Sequence, residues 1–561
     1  MKSQQVKQFF CRALIIILLS SLPAHAARVA PDAGQTIREL QKQPELNQPK
    51  AITPLRLEEE AASKKSTNDD VRIAVRAIHV SGNNVFTTGE LEVLVASLIG
   101  GERTISELNA GAARITAWYR ERGYVIARAY LPAQEIKDGV VVIHVMEGLV
   151  GQQSVNNQSR LSDEQVNTYL RDIKSGEALH VKPVNRALLL LSDTPGVGGA
   201  RATLKPGASV GTSDLLIELD PSTPYTINVE LDNYGNRYTG EYRLGAALAL
   251  NSPLKIGDQV ILRALTSDQS MTYARIAYQL PLGASGLRIG AAYSDSRYKL
   301  GNEFASLQAE GSAISSSLYV TYPFIRSQSS NFSGTLTWES KKLNDRTGVP
   351  ITSVNKHVQL TNFGLAGHHL DVLGDGGLNS FELSLASGRL SMDAISLAAD
   401  IATAQSDGAF ARLAYNLSRL QRLTDTNMFF IAFSGQQASK NLNSSEKFSL
   451  GGANGVRAYP QGEGSGDKGW MANLELRHSF KDNLQGIVFY DAGSVAVNCK
   501  PFAASENKRT ISGAGFGANA NFAGMQIKAH MAWRTSGGQS TSEPAALNRN
   551  PRLWVQASKQ F

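Results

Sequence analysis

The sequence lacks the features that would indicate a membrane-spanning helix, a disulfide framework or a catalytic metal. After residue 26 no apolar run reaches roughly 18 residues, so passage through a bilayer would require a closed β-barrel. Of two cysteines, Cys11 lies in the first 26 residues, which leaves Cys499 without an internal disulfide partner. The histidines show neither an H-E-x-x-H motif nor metal-ligand spacing, and there is no P-loop. We therefore predict no metal, no cofactor and no catalytic residue, and hence no enzyme.

Charge is also unremarkable, which excludes one class of partner. The formal net charge is +7 over 561 residues, and lysines and arginines are interspersed with acidic residues. No basic stripe interleaved with aromatic residues is present, and such a stripe is typical of nucleic-acid binding. We therefore do not predict nucleic acid as a partner.

The first residues have the pattern of a secretory signal. Lys2, Lys7 and Arg12 precede the apolar run Ala13–Leu19, and Ala24-His25-Ala26 supplies small residues at a cleavage site. We predict a signal peptide over residues 1–26 and export of the remainder.

A short helix and a linker follow the signal. Asp32 can cap a helix in which Ile37 and Leu40 share one face, and Pro44 ends it. This predicts a helical segment at 27–45. The polar stretch at 46–70 is interpreted as a linker.

Residues 71–220 contain one supersecondary pattern twice, in the order strand, helix, helix, strand, strand. This predicts two α+β modules, at 71–148 and 149–220. In the first copy the predicted elements are a strand Arg72–Val80, a helix through Leu91, Leu94, Val95 and Leu98, a helix capped by Thr104 and Glu107 and ended by Gly123, and strands Tyr124–Leu131 and Gly139–Met146. In the second they are a strand Gly151–Val155, a helix capped by Ser162 and Gln165, a helix Val184–Leu191, and strands Ala200–Leu204 and Asp214–Leu219.

From Pro221 onward the apolar residues alternate with small or polar ones, and no amphipathic helix is evident. Sixteen such segments of about ten residues predict an all-β, 16-stranded antiparallel transmembrane barrel over 221–561. An even number leaves both barrel ends in the periplasm and makes the long connection at 437–469 extracellular. Four tryptophans are assigned to an aromatic girdle near the strand ends: Trp338, Trp470, Trp533 and Trp554. A soluble β-sandwich or β-helix is the competing fold, and a last strand that finishes at Phe561 favours the barrel.

Several stretches together resemble the two-partner secretion transporters, of the haemolysin activator or filamentous haemagglutinin transporter type. They are Asp32–Gln41, Gly123–Pro132, Asp138-Gly139, Glu147-Gly148, Pro206–Asp214 and Asp232–Gly240. The resemblance implies that the helix at 27–45 plugs the barrel through Asp32, Ile37 and Leu40, and that the two modules are POTRA (polypeptide-transport-associated) modules in the periplasm. The barrel would then lie in the bacterial outer membrane, against lipopolysaccharide and phospholipid.

Two further motifs of this resemblance concern the lumen. Val456-Arg457-Ala458-Tyr459 is similar to a family loop motif that folds into the barrel, and Phe489-Tyr490-Asp491-Ala492-Gly493 to a motif on the thirteenth strand. The resemblance implies a bidentate contact of Arg457 with Asp491, with Val456, Tyr459, Phe489 and Gly493 around it. Ala458 departs from the family glycine, and it would be strained if that position required a positive φ.

The function implied is ATP-independent translocation of an unfolded partner exoprotein to the cell surface by a monomeric transporter. A barrel-assembly insertase shares the loop and strand motifs, and a passive porin shares the strand number, so both remain alternatives. The sequence does not distinguish a cytolysin, an adhesin, a haem scavenger or a contact-dependent toxin as cargo.

Overall fold

A computed structural model describes residues 30–41, 56–57, 71–504 and 506–561. The predicted signal peptide and most of the predicted linker lie outside these residues. No helix in the described part of the chain is both long and apolar enough to cross a bilayer.

The first described element is helix α1 (Ala33–Gln41), which lies inside the barrel. Strand β1 (Arg56–Leu57) follows it and pairs in parallel with a strand of the second module, at Thr203 and Leu204. The linker therefore contributes an edge strand to the second module, paired with residues 147 positions later in the chain.

The first module is an α+β unit with its core between helix α3 and a three-stranded sheet ordered β3-β6-β5. Thr104 and Glu107 form the predicted capping box at the start of α3. Its elements are β2 (Arg72–Val75), β3 (Ala77–Ser81), α2 (Thr88–Val93), a 3₁₀ turn (Ala96–Leu98), β4 (Gly101–Thr104), α3 (Ile105–Glu121), β5 (Arg128–Tyr130) and β6 (Val140–Met146).

Three details of this module differ from the sequence prediction. The strand expected at 72–80 is broken at Arg76, because β2 pairs with β4 whereas β3 pairs with β6. The first helix ends at Val93 and continues only as a 3₁₀ turn, and the strand expected at 124–131 is reduced to β5.

The second module has a four-stranded sheet ordered β1-β8-β9-β7 and two helices over it. Its core is formed largely by the apolar face of α5. The elements are β7 (Leu149–Asn157), α4 (Asp163–Leu170), α5 (Val181–Ser192), β8 (Ala200–Pro206) and β9 (Thr212–Leu219). Asp193, just after α5, accepts a bidentate ion pair from Arg326 at 2.6 and 2.9 Å, which anchors this module to a periplasmic turn of the barrel.

The remaining strands form a closed barrel of sixteen antiparallel strands, as predicted. The barrel closes where β10 pairs with β27, from Asn228 with Gln560 to Asp232 with Gln556. The strands are β10 (Tyr225–Asp232), β11 (Arg243–Asn251), β12 (Gln259–Ser267), β13 (Thr272–Pro281), β14 (Arg288–Lys299), β15 (Glu310–Arg326), β16 (Ser330–Gly348), β17 (Ile351–Asp371), β18 (Gly377–Met392), β19 (Gly408–Arg422), β20 (Asn427–Ala438), β23 (Lys468–Lys481), β24 (Leu484–Ala496), β25 (Lys508–Phe522), β26 (Met525–Ser536) and β27 (Arg552–Gln560). Between β20 and β23 lie two short strands, β21 (Phe448–Ser449) and β22 (Ser465–Gly466).

Alternation along the strands matches a lipid-facing exterior. On β24, Val488 and Tyr490 are exposed, whereas Phe489 and Asp491 are buried in the lumen. Trp554 does not belong to the aromatic girdle predicted for it: it is only 2% exposed and faces the lumen. Since Leu553 and Val555 are the lipid-facing residues of β27, the period-two pattern requires Trp554 to point inward.

The barrel differs from the prediction in two further respects. Strands β15 to β18 contain 16 to 21 residues, whereas a membrane crossing needs about ten. Their extracellular ends contain many charged and hydroxyl side chains, such as Lys341, Lys342 and Asp345, so apolar alternation did not reveal them. A short helix, α6 (Ala394–Ile401), also lies in the extracellular connection after β18, where no helix was expected.

Candidate functional site

The candidate site is a long loop, residues 439–467, that folds into the barrel lumen. The loop carries Arg457, and strand β24 presents Asp491 from the barrel wall. Arg457 Nε and Nη2 donate to the two Asp491 carboxylate oxygens, each at 2.8 Å, and its backbone N–H donates to the same carboxylate at 3.1 Å. The structure thus has the bidentate contact that the resemblance implied. We call this pair and its neighbours Val456, Tyr459, Phe489 and Gly493 the lock cluster.

Two further groups contact the Arg457 guanidinium: Phe489, which was predicted to lie near it, and Glu475, which the sequence did not point to. The third guanidinium nitrogen, Nη1, donates to Glu475 on β23 at 2.7 Å, and the guanidinium plane lies over the Phe489 ring at 3.5 Å from the centroid. Arg457 is 4% exposed and Asp491 0%. A buried charge of this kind is tolerated only when it is paired and hydrogen-bonded, so loss of Arg457 would leave Asp491 uncompensated, and loss of Asp491 would leave Arg457 with Glu475 alone.

Two more side chains hold the backbone around Arg457. Asn473 donates to Asp491 at 2.8 Å and to the carbonyl oxygen of Gly455 at 3.1 Å, so it fixes the carboxylate and the loop together. Trp554, on the strand that closes the barrel, donates from Nε1 to the Arg457 carbonyl oxygen at 2.7 Å. The loop is therefore held at both its side chain and its main chain.

The other members of the lock cluster pack around this pair. Val456 is fully buried, and Tyr459 directs its hydroxyl toward the carbonyl oxygens of Ser536 and Gly538, at 2.7 and 2.8 Å. Gly493 leaves space for Leu450, because a Cβ there would lie 2.6 Å from that side chain.

Ala458 adopts no strained conformation in place of the family glycine. It is not among the described residues with a positive φ, and it is 2% exposed. Its methyl group occupies the space beside Gly513 on β25, where a second Cβ would overlap it. The glycine at 513 therefore provides the room that Ala458 requires.

Two further buried carboxylates fasten the loop at other points of the wall. Glu446 accepts from Lys341 at 2.9 Å and lies 3.4 Å from Arg412. Glu463 accepts from Arg509 at 2.7 Å and from the backbone N–H of Ser542 at 2.9 Å. Both carboxylates are completely buried, so the loop is secured to opposite sides of the lumen.

Helix α1 occupies the lumen beside this loop. Asp32 accepts from the Gln35 N–H at 2.9 Å, which caps the helix, and from the Ser444 hydroxyl of the loop at 2.7 Å. The Ala33 N–H donates to Asp345 on β16 at 2.8 Å. The helix start is thus bonded both to the loop and to the barrel wall.

The apolar face of α1 is buried against the wall. Ile37 is 0% and Leu40 4% exposed, in one cluster with Val358 and Leu360 of β17. On the loop side, Gly34 allows close approach, because a Cβ there would lie 2.7 Å from the Ser445 backbone nitrogen. The predicted plug residues therefore all lie inside the barrel.

The residues missed from the sequence had one available signal. Asn473 and Glu475 alternate on β23 and pair in register with Asp491 and Phe489 on β24. Polar residues at alternate positions of β23 were visible in the sequence, but only the register between β23 and β24 shows that they lie beside the motif at 489–493. Trp554 had no such signal, because its contact depends on barrel closure. In the described part of the chain no cluster of histidine, cysteine and acidic residues has metal-binding geometry.

Together these features define an outer-membrane β-barrel whose lumen is filled by a helix and a loop and whose N-terminal α+β modules stand outside it. Residues 211–520 match the family described as haemolysin secretion/activation protein ShlB/FhaC/HecB, and residues 73–148 match the ShlB-type POTRA domain. The heme/hemopexin transporter protein HuxB of Haemophilus influenzae (strain 86-028NP) is 30% identical over 475 residues, which cover 82% of this chain and 83% of that protein.

Other relatives agree with this assignment. The outer membrane transporter CdiB of Dickeya dadantii (strain 3937) is 24% identical over 72% of each chain. The solved structure of CdiB from Escherichia coli superposes with a TM-score of 0.72, at 19% identity, over 96% of this chain and 100% of that one, which establishes the shared fold. The chain belongs to the ShlB/FhaC/HecB family of two-partner secretion transporters. It is an outer-membrane protein that translocates a partner exoprotein, with its POTRA modules in the periplasm.

Proposed function

We propose that this transporter is a polypeptide conduit closed at rest by two elements, helix α1 and the loop 439–467, and that both must move for a client to pass. The observation that carries this proposal is the position of α1, whose Ile37 and Leu40 are buried in the lumen. A chain in transit would have to occupy the same space. Asp32 bonded to Ser444 makes the two elements neighbours, so displacement of one removes contacts from the other.

The POTRA modules would capture the client as an extended strand. An exposed sheet edge can bind a peptide through backbone hydrogen bonds, which suits a client that has not folded. The β8 edge of the second module is already covered by the chain's own Arg56–Leu57. A client strand added there would displace this segment, which is connected through the linker to α1. Capture and plug release would then be linked.

Transport on this proposal requires no nucleotide and no covalent step by the chain. Arg457 and Asp491 in the lumen are engaged in an ion pair, which holds structure rather than acts on a substrate. The driving force would be folding of the client once it reaches the outside. One lumen serves one client, so a monomer would suffice.

The partner to test first is an exoprotein concerned with heme or hemopexin, since HuxB carries that description. An assembly insertase is the second candidate, because the crystal structure of BamA from Haemophilus ducreyi shares the fold at a TM-score of 0.52 and 14% identity. A permanently open porin fits poorly with a lumen filled by α1.

Deletion of residues 72–148 tests the capture role. We expect secretion of the partner to be abolished while the barrel still inserts and migrates as a folded species in unheated gels. Normal secretion by the deletion variant would refute capture by this module. Loss of other barrel proteins from the membrane, with secretion intact, would instead support the insertase.

A further inference from the structure

We propose that the outward face of the barrel carries a binding site for one lipopolysaccharide molecule of the outer leaflet. A cleft of about 490 Å³ lies at the extracellular ends of β19, β20, β23, β24 and β25. None of the lock-cluster residues lines it, although its inner wall includes Val495, which packs in the same buried cluster as Val456 and Tyr459. The site rests on the outer-membrane location of the chain and not on the transport mechanism proposed above.

One wall of the cleft is a row of three stacked aromatic rings on three adjacent strands. The centroids of Tyr415 and Phe433 are 5.8 Å apart with their planes at 29°, and those of Phe433 and Trp470 are 6.2 Å apart at 26°. Phe433 is 39% and Trp470 41% exposed, both on the lipid-facing side. Isolated girdle aromatics anchor a barrel at the interface, whereas a continuous wall of rings offers acyl chains a binding surface.

Small residues form the floor beside this wall. Trp470 pairs in register with Gly435 on β20 and with Ser494 on β24, so a small residue lies on each side of it. In the next row toward the outside, Lys468 lies opposite Ala496. Because these neighbours are small, the surface is depressed next to the rings, and the lipid can enter a concave site.

Two lysines border the cleft at its extracellular end. Lys468 on β23 and Lys508 on β25 both pair in register with Ala496, so they flank it from the two neighbouring strands. Two strand spacings separate them, about 10 Å. Glu506 also lines the cleft and offsets one of the charges. Lys508 lines the cleft directly.

This order of groups matches the chemistry of lipopolysaccharide. Its acyl chains would lie against the rings within the apolar band, and the phosphates at the two ends of its disaccharide would meet the two lysines. Phosphatidylglycerol presents one phosphate and therefore uses only one lysine. Lysines near a membrane surface each contribute about 1 kcal/mol toward anionic lipids, which is close to a fivefold change in binding.

Native mass spectrometry of the full-length transporter, with added bisphosphorylated lipid A, monophosphorylated lipid A or phosphatidylglycerol, tests the site. We expect one molecule of bisphosphorylated lipid A to be retained in preference to the other two lipids. Lys508→Gln should lower its occupancy about fivefold and remove the preference over the monophosphorylated form. Phe433→Ala with Trp470→Ala should lower binding of both forms of lipid A about tenfold.

Matched controls come from another part of the barrel wall, on β16, which is not among the strands that form the cleft. Trp338 is 44% exposed on the lipid-facing side of β16, and Lys342 is exposed four residues further along it. Trp338→Ala and Lys342→Gln should leave lipid A occupancy unchanged. All of these side chains face outward, and Lys508→Gln is a conservative exchange that preserves the barrel. Equal retention of phosphatidylglycerol, or equal losses from cleft and control variants, would overturn the proposal.

Discussion

The indole Nε1 of Trp554 donates a 2.7 Å hydrogen bond to the backbone carbonyl oxygen of Arg457. Trp554 lies on β27, the strand that closes the barrel against β10, and its ring packs edge-to-face on Tyr234 at 5.9 Å. The tip of the lumen loop is therefore attached to the closing strand as well as to Asp491 and Glu475. This attachment makes loop position and barrel closure interdependent.

Arg457→Ala and Asp491→Ala should each impair secretion of the partner strongly. Arg457→Ala leaves the buried Asp491 without a cation, which costs about 3–5 kcal/mol, and Asp491→Ala leaves Arg457 with Glu475 as its one remaining acid among the described residues. Arg457→Lys serves as the control for charge, since lysine keeps the charge but cannot form the bidentate contact or saturate both acids. We expect Arg457→Lys to secrete more partner than Arg457→Ala but less than the parent. Secreted partner in the medium, normalised to folded transporter, is the measurement.

The double variant distinguishes a specific pair from two independent roles. If Arg457 and Asp491 act on each other, the combined loss should be smaller than the sum of the single losses. Additive losses, or unchanged export in both single variants, would eliminate the lock.

Trp554→Phe should weaken the attachment of the loop 439–467 to the barrel wall without leaving a cavity at position 554. It removes one hydrogen bond, worth about 0.5–1.5 kcal/mol, and preserves an aromatic ring against Tyr234. Limited proteolysis from the extracellular side should cut within residues 439–467 several times faster than in the parent. Trp470→Phe, on the lipid-facing side, is the matched control and should leave the cleavage rate unchanged. Equal cleavage rates in the parent, Trp554→Phe and Trp470→Phe would contradict the attachment of the loop by Trp554.

The parts that could be predicted from the sequence follow from local periodicity. Period-two alternation specified all sixteen barrel strands, and capping residues such as Thr104 located helix starts. The extracellular ends of β15 to β18 could not be predicted, because strand segments rich in polar residues show no regular apolar alternation. The prediction that Trp554 belongs to the aromatic girdle is wrong, because it followed from residue type alone. Leu553 and Val555 face the lipid, so Trp554 between them must face the lumen. Glu475 and Asn473 required register, which is a tertiary property.

Gly34→Ala should favour the open state of the channel. Alanine stabilises an isolated helix by about 1 kcal/mol relative to glycine, so any loss of the closed state must come from packing. A Cβ at this position would approach the Ser445 backbone nitrogen to 2.7 Å, and the backbone there cannot turn aside as a side chain would. Planar-bilayer recordings should show more frequent open-channel events.

Gly89→Ala provides the control for this change. Gly89 is also helical, in α2 of the first module, and a Cβ there would meet nothing within 4 Å. It should leave the recordings as they are in the parent. Identical recordings for Gly34→Ala would mean that α1 does not depend on close contact with the loop.

The junction between the two modules should weaken in acid. His180 caps α5 by accepting from the Lys182 N–H at 3.0 Å, and its ring packs on Tyr124 of the first module at 4.9 Å. Burial, and then the Lys182 charge, lower the pKa of His180 below its ordinary value of 6.5. His180 takes up a proton more readily when the junction is unfolded. Its contribution to the stability of the folded junction is therefore fully present above about pH 6.5 and is lost as the pH falls below that value.

Hydrogen exchange at the start of α5 measures this effect. Exchange, corrected for intrinsic rates, should be faster at pH 5.5 than at pH 7.5. His180→Asn retains a capping side chain that does not titrate, so its corrected exchange should not change with pH. The same pH dependence in both proteins would assign the effect to another group.

A reversible tether between α1 and the barrel wall tests most directly whether the plug must leave the lumen. The Ala33 N–H lies 2.8 Å from Asp345 on β16, so Ala33→Cys with Asp345→Cys, in a Cys499→Ser background, can join the helix to the wall. We predict that secretion of the partner stops in the oxidised protein and resumes on reduction, whereas each single cysteine variant responds to neither treatment. Full secretion with the tether intact would contradict the account.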